Sequence, residues 1–273
     1  MQKPMVESSP SSAFALLSDG RYLATPLTRG PWDLRHQHAG PPIALVLGAI
    51  ERVAAQREMT HIARLTANLF RPIPIAELSI EVGVDYLGRN SAHISASLHA
   101  EAKEVARFTA LAQRGINQPV STGLPGHPLP QAPRSPDNSP PARFPFERRH
   151  LGYFDLVETR VAAGRLFNGP SAIWFRLNHP IVAGEVPSVY QRVAVAADSG
   201  NGVSAVLDLR HFLFVNSDLT INLLRCPRGE WVCLEACTLL GDEGSGLAES
   251  VLYDTDGVIG RATQSLFVRK RER

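Results

Sequence analysis

The chain has 273 residues, 44% apolar and 20% charged, enough to bury one large core or two smaller ones, which excludes disorder along its whole length. A net charge of +2 is too balanced to point to nucleic acid, and the one basic run, Arg269, Lys270, Arg271 and Arg273, is a short tail interrupted by Glu272. Cys226, Cys233 and Cys237 are odd in number and lack CxxC pairing, against a zinc site or disulfide framework, while no apolar leader follows Lys3 and no window approaches ~18 uninterrupted apolar residues.

The first predicted element is a helix over 43–55 (IALVLGAIERVAA), apolar almost all round and placed after the Gly40, Pro41, Pro42 break. Each of its larger apolar side chains contributes ~1.5–3 kcal/mol when fully enclosed. The enclosure follows in sequence: Leu78, Ile80, Val82, Val84 and Tyr86 alternate with Ser79, Glu81, Gly83 and Asp85, the period of a strand with one buried face. Gly88, Arg89 and Asn90 make a turn, and 91–100 and 104–113 continue as strands of an antiparallel sheet around the helix. Residues 118–145, crowded with proline, serine and glycine, read as a linker that supports no packed core. Beyond it the pattern returns: a helix over 187–197, strands over 219–225, 231–239, 247–253 and 258–269, and a hairpin turn of Asp254, Thr255, Asp256 and Gly257.

The return is a repeat. Leu65, Thr66, Asn68, Leu69 and Arg71 reappear as Leu219, Thr220, Asn222, Leu223 and Arg225, an offset of 219 − 65 = 154. The same offset relates Glu81 to Glu235, Leu98 to Leu252, Arg107 to Arg261 and Thr109 to Thr263 without a gap. Two copies of this length imply one architecture duplicated and fused. The expected organisation is a first repeat over 13–117, a proline-rich linker over 118–150 and a second repeat over 151–270. Shared residues such as Arg71 with Arg225 and Thr109 with Thr263 read as scaffold. Ala110 against Gln264 marks a position where the copies have specialised.

A buried helix in a curled antiparallel sheet, written twice, resembles the α+β double hotdog fold of the acyl-CoA thioesterase II family. The likeness rests on Trp32, on His38, Ala39, Gly40, Pro41 and Pro42 ahead of the first helix, and on Phe70, Arg71 and Pro72 in the first long strand. In the second half it rests on the 187–198 helix, the 219–227 strand and the closing Thr263 and Gln264. The resemblance implies two repeats, each a long buried helix wrapped by a sheet, and hydrolysis of an acyl-CoA thioester to free acid and CoA.

Thioester hydrolysis needs an activated water and a polarised carbonyl; no serine or cysteine nucleophile is obligatory, and no G-x-S-x-G motif is present. Asp198 ends a helix that is apolar over 193–197, where a carboxylate opposes the helix dipole and so invites a functional reason, the plainer alternative being a solvated capping turn. In the resembled family an aspartate on this helix, a hydroxyl on the next strand and a glutamine on the last strand hold the water together. Residue by residue, Asp198 matches the aspartate and Gln264 the glutamine. Ser217 is favoured for the hydroxyl by counting back from 225–227, with Thr220 the competitor, although Thr220 is matched by Thr66 and so suits a shared structural role.

His38, Gly40 and Asn201 are the candidate substrate contacts. Backbone N–H groups near Gly40 can polarise the carbonyl, or Gly40 simply starts a helix. His36 and His38 flank that loop, with surface or capping roles the plainer reading for nine scattered histidines without ligand spacing. Glu51 is the only obvious acid near the corresponding end of the first helix, and a structural or solvent-facing place suits it better than a second base. One active site per chain is expected, built mainly from the second copy, with no metal and no cofactor.

The leading expectation is therefore an acyl-CoA thioesterase. The alternatives are a hotdog enoyl-thioester hydratase or dehydratase, which needs a histidine a few residues beyond the aspartate where none precedes His211, and a non-catalytic acyl-CoA or acyl-ligand binding protein. Sheet edges that need covering imply a homo-dimer or larger homo-oligomer. Composition and cysteine usage place the protein in the cytoplasm, with acyl-CoA as partner and neither nucleic acid nor a membrane span.

Overall fold

The computed structural model describes residues 10–31, 33–115, 129–143, 149–208 and 210–271; Trp32, the ends of the proline-rich stretch at 118–128 and 144–148, and Glu272 and Arg273 lie outside them. The first half runs β1 (Phe14–Leu16), β2 (Tyr22–Ala24), α1 (Gly40–Ala55), β3 (His61–Leu69), β4 (Glu77–Leu87), β5 (Ser91–Ala100) and β6 (Lys103–Gln113). The second half runs α2 (Tyr153–Leu156), β7 (Val157–Ala163), β8 (Ser171–Leu177), α3 (Val189–Ala197), α4 (Gly200–Val203), β9 (Phe212–Asn216), β10 (Asp218–Leu223), β11 (Val232–Leu240), β12 (Ser245–Asp254) and β13 (Gly257–Lys270).

All strands join one sheet in the order β1-β2-β4-β5-β6-β3-β10-β13-β12-β11-β8-β7, with β9 also paired to β13. Read from its middle outward, the order is the same on both sides once each strand is replaced by its repeat partner. The midpoint is the antiparallel pair β3–β10, in which Thr66 faces Thr220 and the two hydroxyls lie 3.1 Å apart. These are the residues related by 154 positions, so the repeat axis passes through that contact.

The duplication extends to irregularities. In β3 against β6, Ile62 faces Ala112 and Arg64 faces Leu111, leaving Ala63 as an extra residue. In the second copy Asn216 faces Leu266 and Thr220 faces Thr263, so four steps on one side match three on the other, again one residue in excess. A second bulge at Val105, between the Leu98–Ala106 and His99–Glu104 pairs, recurs at Ile259, between Leu252–Gly260 and Tyr253–Val258.

Inside the sheet, α1 is buried along nearly its whole length, and β5 presents Ala92, Ile94, Ala96, Leu98 and Ala100 to the interior at alternate positions. The small side chains of β5 bring helix and sheet close. The two helices also meet at glycines: a Cβ on Gly48 would lie 2.5 Å from Gln191 Nε2, which donates to Ala44 O, and one on Gly40 would lie 2.8 Å from Val195 O.

Both helices fall close to their expected bounds, but only the first is long. α1 begins at Gly40, with both prolines in its first turn, where a missing N–H leaves no bond unmade. The second copy has no long helix: α3 spans nine residues behind the N-cap Ser188, breaks at Asp198 and Ser199, and resumes as the four-residue α4. Strands β1, β2, β7, β8 and β9 were not legible as such, since β1 and β2 have three residues each and β8 (SAIWFRL) is buried over five consecutive positions and so shows no alternation. Part of the stretch read as linker is docked, with Trp174 Nε1 donating to Arg134 O at 2.7 Å and Ala142 N to Thr159 O at 2.9 Å. Among the described residues no helix is long and apolar enough to cross a membrane.

One buried ion pair fixes the far hairpin of the second copy. Arg225 grips Asp254 through both guanidinium nitrogens at 2.6 and 2.5 Å, and the N–H groups of Arg228 and Asp256 donate to the same carboxylate, which is fully buried. Burial pushes the Asp254 carboxyl up, but Arg225 and the two N–H groups outweigh it and hold it below the ordinary value. The pair therefore stabilises the fold above the unfolded carboxyl value of about 4 and loses that contribution as pH falls through the depressed folded value. Arg225→Met, which strands the carboxylate, should cost about 3–5 kcal/mol at neutral pH by chemical denaturation. The gap from wild type should narrow below about pH 4; a gap independent of pH would show that the pair is not what the substitution removes.

Candidate active site

The break after α3 delivers Asp198. As C-cap of α3 it sits where the last carbonyls of the helix concentrate negative potential, yet only 4% of its surface is exposed. A buried carboxylate in such a place needs donors, and three elements supply them. Asn216, at the end of β9, donates Nδ2 to Asp198 Oδ1 at 2.9 Å. Gln264 of β13 donates Nε2 to the Asp198 carbonyl at 3.0 Å and lies 3.4 Å from Oδ1. His38, in the loop ahead of α1, places Nδ1 at 2.9 Å from Oδ2.

That last contact sets the histidine. With Nδ1–H given to the carboxylate, Nε2 of neutral His38 keeps its lone pair, and the Gly40 N–H, 3.2 Å from Nδ1, is the weaker neighbour. The ring is held from one face by Tyr153 of α2, stacked at 3.7 Å between centroids and 3° from parallel. The Tyr153 hydroxyl donates to Val195 O at 2.8 Å and accepts from Ser199 Oγ at 2.8 Å, so one residue positions the histidine and caps a free carbonyl at the end of α3. Burial pushes its phenol far above the ordinary value, keeping it a neutral donor. α2 is held in turn by Tyr153 N–H to Arg29 O at 2.9 Å and Arg29 Nη1 to Leu151 O at 2.6 Å.

The bulge after Asn216 explains why that side chain reaches the carboxylate: the extra residue shifts the strand by one place relative to β13, aligning Asn216 with the Gln264 side of the sheet. Gln264 is 1% exposed, and its Oε1 accepts the Asn201 N–H at 2.9 Å. Both ends of the amide are thus engaged by the protein, tying the start of α4 to the end of α3.

Asp198 opens onto a cavity of about 530 Å³ whose lining includes His38, Ala39, Leu69, Phe70, Arg71, Ile73, Asn201, Leu213, Asn216 and Ser217. The structure brings together Asp198, Gln264, His38 and Asn201, and places Ser217 on the cavity wall. Thr220 is elsewhere, its hydroxyl against Thr66 at the repeat axis. Gly40 is buried behind Ala39 with its missing side chain against Val195 O, a packing role rather than a place on the cavity wall. Sequence reasoning missed Asn216 and Tyr153. A bulge shifting the count by one could have shown Asn216, whereas nothing in the stretch after the linker singles out Tyr153.

The described residues of the first copy hold no counterpart. Ile62 and Ala110 stand at the repeat positions of Asn216 and Gln264, and both are buried apolar residues. Glu51 accepts from Ser188 Oγ at 2.6 Å, bracing the N-cap of α3; burial raises its carboxyl against the opposing pull of Ser188 and Arg52. Arg71 also departs from its partner: Arg225 is scaffold, while Arg71 is exposed on the cavity wall. Among the described residues no group of three or more histidine, cysteine or acidic side chains is arranged to hold a metal.

Residues 28–113 match a family model described as the acyl-CoA thioesterase N-terminal domain, and residues 133–268 match its C-terminal domain. Among curated proteins none matches the chain significantly. Solved structures share the fold at low identity. A protein described as a thioesterase from Novosphingobium aromaticivorans is similar at TM-score 0.69 and 18% identity, covering 93% of this chain and 98% of its own. The acyl-CoA thioesterase II of Mycobacterium marinum is similar at TM-score 0.68 and 16% identity, covering 95% and 96%. A hot dog fold protein from Alicyclobacillus acidocaldarius is similar at TM-score 0.69 and 16% identity, covering 96% and 97%.

Gln264→Leu would leave the Asn201 N–H and the Asp198 carbonyl buried without partners, each costing about 1–3 kcal/mol. A loss of about 2–4 kcal/mol in denaturant unfolding is expected, and a neutral substitution would show that the amide does not tie α3 to α4.

Proposed function

The chain belongs to the acyl-CoA thioesterase family, and on that premise we propose that it hydrolyses an acyl-CoA thioester with Asp198 as the base that activates water. Thioester hydrolysis is the family's general chemistry, and the observation carrying the residue assignment is a buried carboxylate facing a cavity with most of its acceptor capacity used. An ionised carboxylate has about four lone-pair sites; Asn216, His38 and the longer Gln264 contact occupy three, leaving one for a water. The carboxylate takes the water's proton as its oxygen attacks the thioester carbonyl. The C–S bond of the tetrahedral intermediate then breaks, the proton passes to the departing thiolate, and free acid and CoA leave.

The distances around Asp198 support a different set of supporting roles. Asn216 takes the place the resemblance gave to a hydroxyl, holding Oδ1. Gln264 serves as a positioning residue, since its amide is spent on Asp198 O and Asn201 N–H. Ser217, expected as the hydroxyl that holds the water, lies on the cavity wall and becomes a candidate substrate contact beside His38 and Asn201.

The His38–Asp198 pair also supports a second reading, a hydratase acting on an enoyl thioester, because it supplies from the other half of the chain the histidine that the sequence lacks after Asp198. In that reaction His38 Nε2 would take the water's proton. The pair serves hydrolysis without further assumption, and the family model favours it.

Free-thiol release from a panel of acyl-CoAs tests the first reading. Asp198→Asn should lower kcat by roughly 10²- to 10⁴-fold. Asn216→Ala should lower kcat more than Ser217→Ala does. Thiol release unchanged in Asp198→Asn would remove the base, and hydroxyacyl product from enoyl-CoA without thiol release would transfer the assignment to the hydratase.

A further inference from the structure

Arg71 and Arg225 occupy the same place in the two copies, and their backbone surroundings match. Phe70 N–H donates to Val105 O as Leu224 N–H donates to Ile259 O, each acceptor being the extra residue of its bulge. The following hairpins also coincide, with Ala100 facing Lys103 as Asp254 faces Gly257. The side-chain chemistry differs at one position. Where Asp254 binds Arg225 by both nitrogens, the first copy has Ala100, with no carboxylate to offer.

Arg71 is therefore the counterpart of a scaffold arginine and lacks its anchor. Among the described residues its guanidinium has no hydrogen bond or ion pair, and the acids of the adjoining strand and of the cavity wall are taken. Glu104 is held by Arg107 through two bonds at 2.7 and 2.6 Å, and Asp33, on the same cavity wall, is held by Arg35 at 2.8 Å. The cavity thus has an ordered polarity: Asp198 nearly sealed within it, and an unpaired, permanently charged fork at an exposed part of its wall.

We propose that Arg71 is the anion-recognition residue of this cavity, binding a phosphate of the CoA carrier while the thioester reaches Asp198. The inference rests on the acyl-CoA reading of the site. A planar guanidinium matches two phosphate oxygens, as it matches the two carboxylate oxygens of Asp254 in the other copy, so the duplicated arginine exchanges an internal anion for a ligand's. Arg71 then acts on carrier affinity and leaves the bond-breaking step to the groups around Asp198.

Calorimetric binding of CoA, the released product, gives a readout independent of turnover. Arg71→Ala should weaken CoA binding roughly 10- to 100-fold, the loss expected of a charge-assisted bond pair, with Arg71→Lys recovering part of it. In kinetics the same variant should raise KM for an acyl-CoA and leave kcat, and KM for the matching acyl-pantetheine without phosphate, unchanged. Equal CoA affinity in wild type and Arg71→Ala, or an equal rise in KM for both thioesters, would overturn the proposal. Arg71-dependent CoA binding by a wild-type protein that releases no thiol would support it while defeating the hydrolase reading.

Discussion

The antiparallel pairing of β3 with β10 about Thr66 and Thr220 is the constraint on which the rest of the structure depends. Two copies joined at equivalent residues must run outward in mirrored order, and the sheet does so strand by strand from β3 and β10 to β1 and β7. The joint also brings the end of each copy's first long strand beside the other copy. Leu69 N–H donates to Ser217 O at 2.8 Å, so the wall at Leu69 to Ile73 comes from the first half and the catalytic candidates Asp198 and Asn216 from the second.

Symmetry of backbone is then combined with asymmetry of side chains. The bulge that places Asn216 beside Asp198 has its counterpart after Ile62, yet an isoleucine there and Ala110 on the neighbouring strand leave nothing to hold a buried carboxylate. A carboxylate withdrawn from water is tolerated only where donors replace its hydration, and the amide donors Asn216 and Gln264 have no counterpart among the described residues of the first copy. The first copy is not idle: it contributes His38, the α1 packing surface and the wall that carries Arg71. Its glycines at 40 and 48 let α3 lie close enough for the break at Asp198 to meet His38.

Much of this was legible in the residues. The apolar run of α1 and the hairpin at Asp254 survive translation into structure because each is local, and the alternation of β4 survives from Leu78 to Val84 but not at Tyr86, which is exposed near the strand's end. The repeat offset located the mismatch at Ala110 and Gln264, which also marks where the donors are. What escaped was non-local. Asn216 depends on a bulge whose register is set by β13, a strand about fifty residues later, and the shared arginine looked like scaffold until its partner at Ala100 was seen to be missing. The His38–Asp198 contact joins residues 160 positions apart (198 − 38), and no spacing rule reports it. The second helix ends at Ala197, where the sequence placed its end, and is short for a local reason: the polar run Asp198, Ser199, Gly200, Asn201 and Gly202 competes with helix.

The central claim is one site per chain, formed because only the second copy can hold the carboxylate. Titration calorimetry with a non-hydrolysable thioether analogue of an acyl-CoA tests this most directly. The account predicts one equivalent bound per chain, with Asp198→Asn retaining that stoichiometry while losing turnover. Two equivalents per chain would contradict it, since the apolar pair Ile62 and Ala110 would then mark a working site.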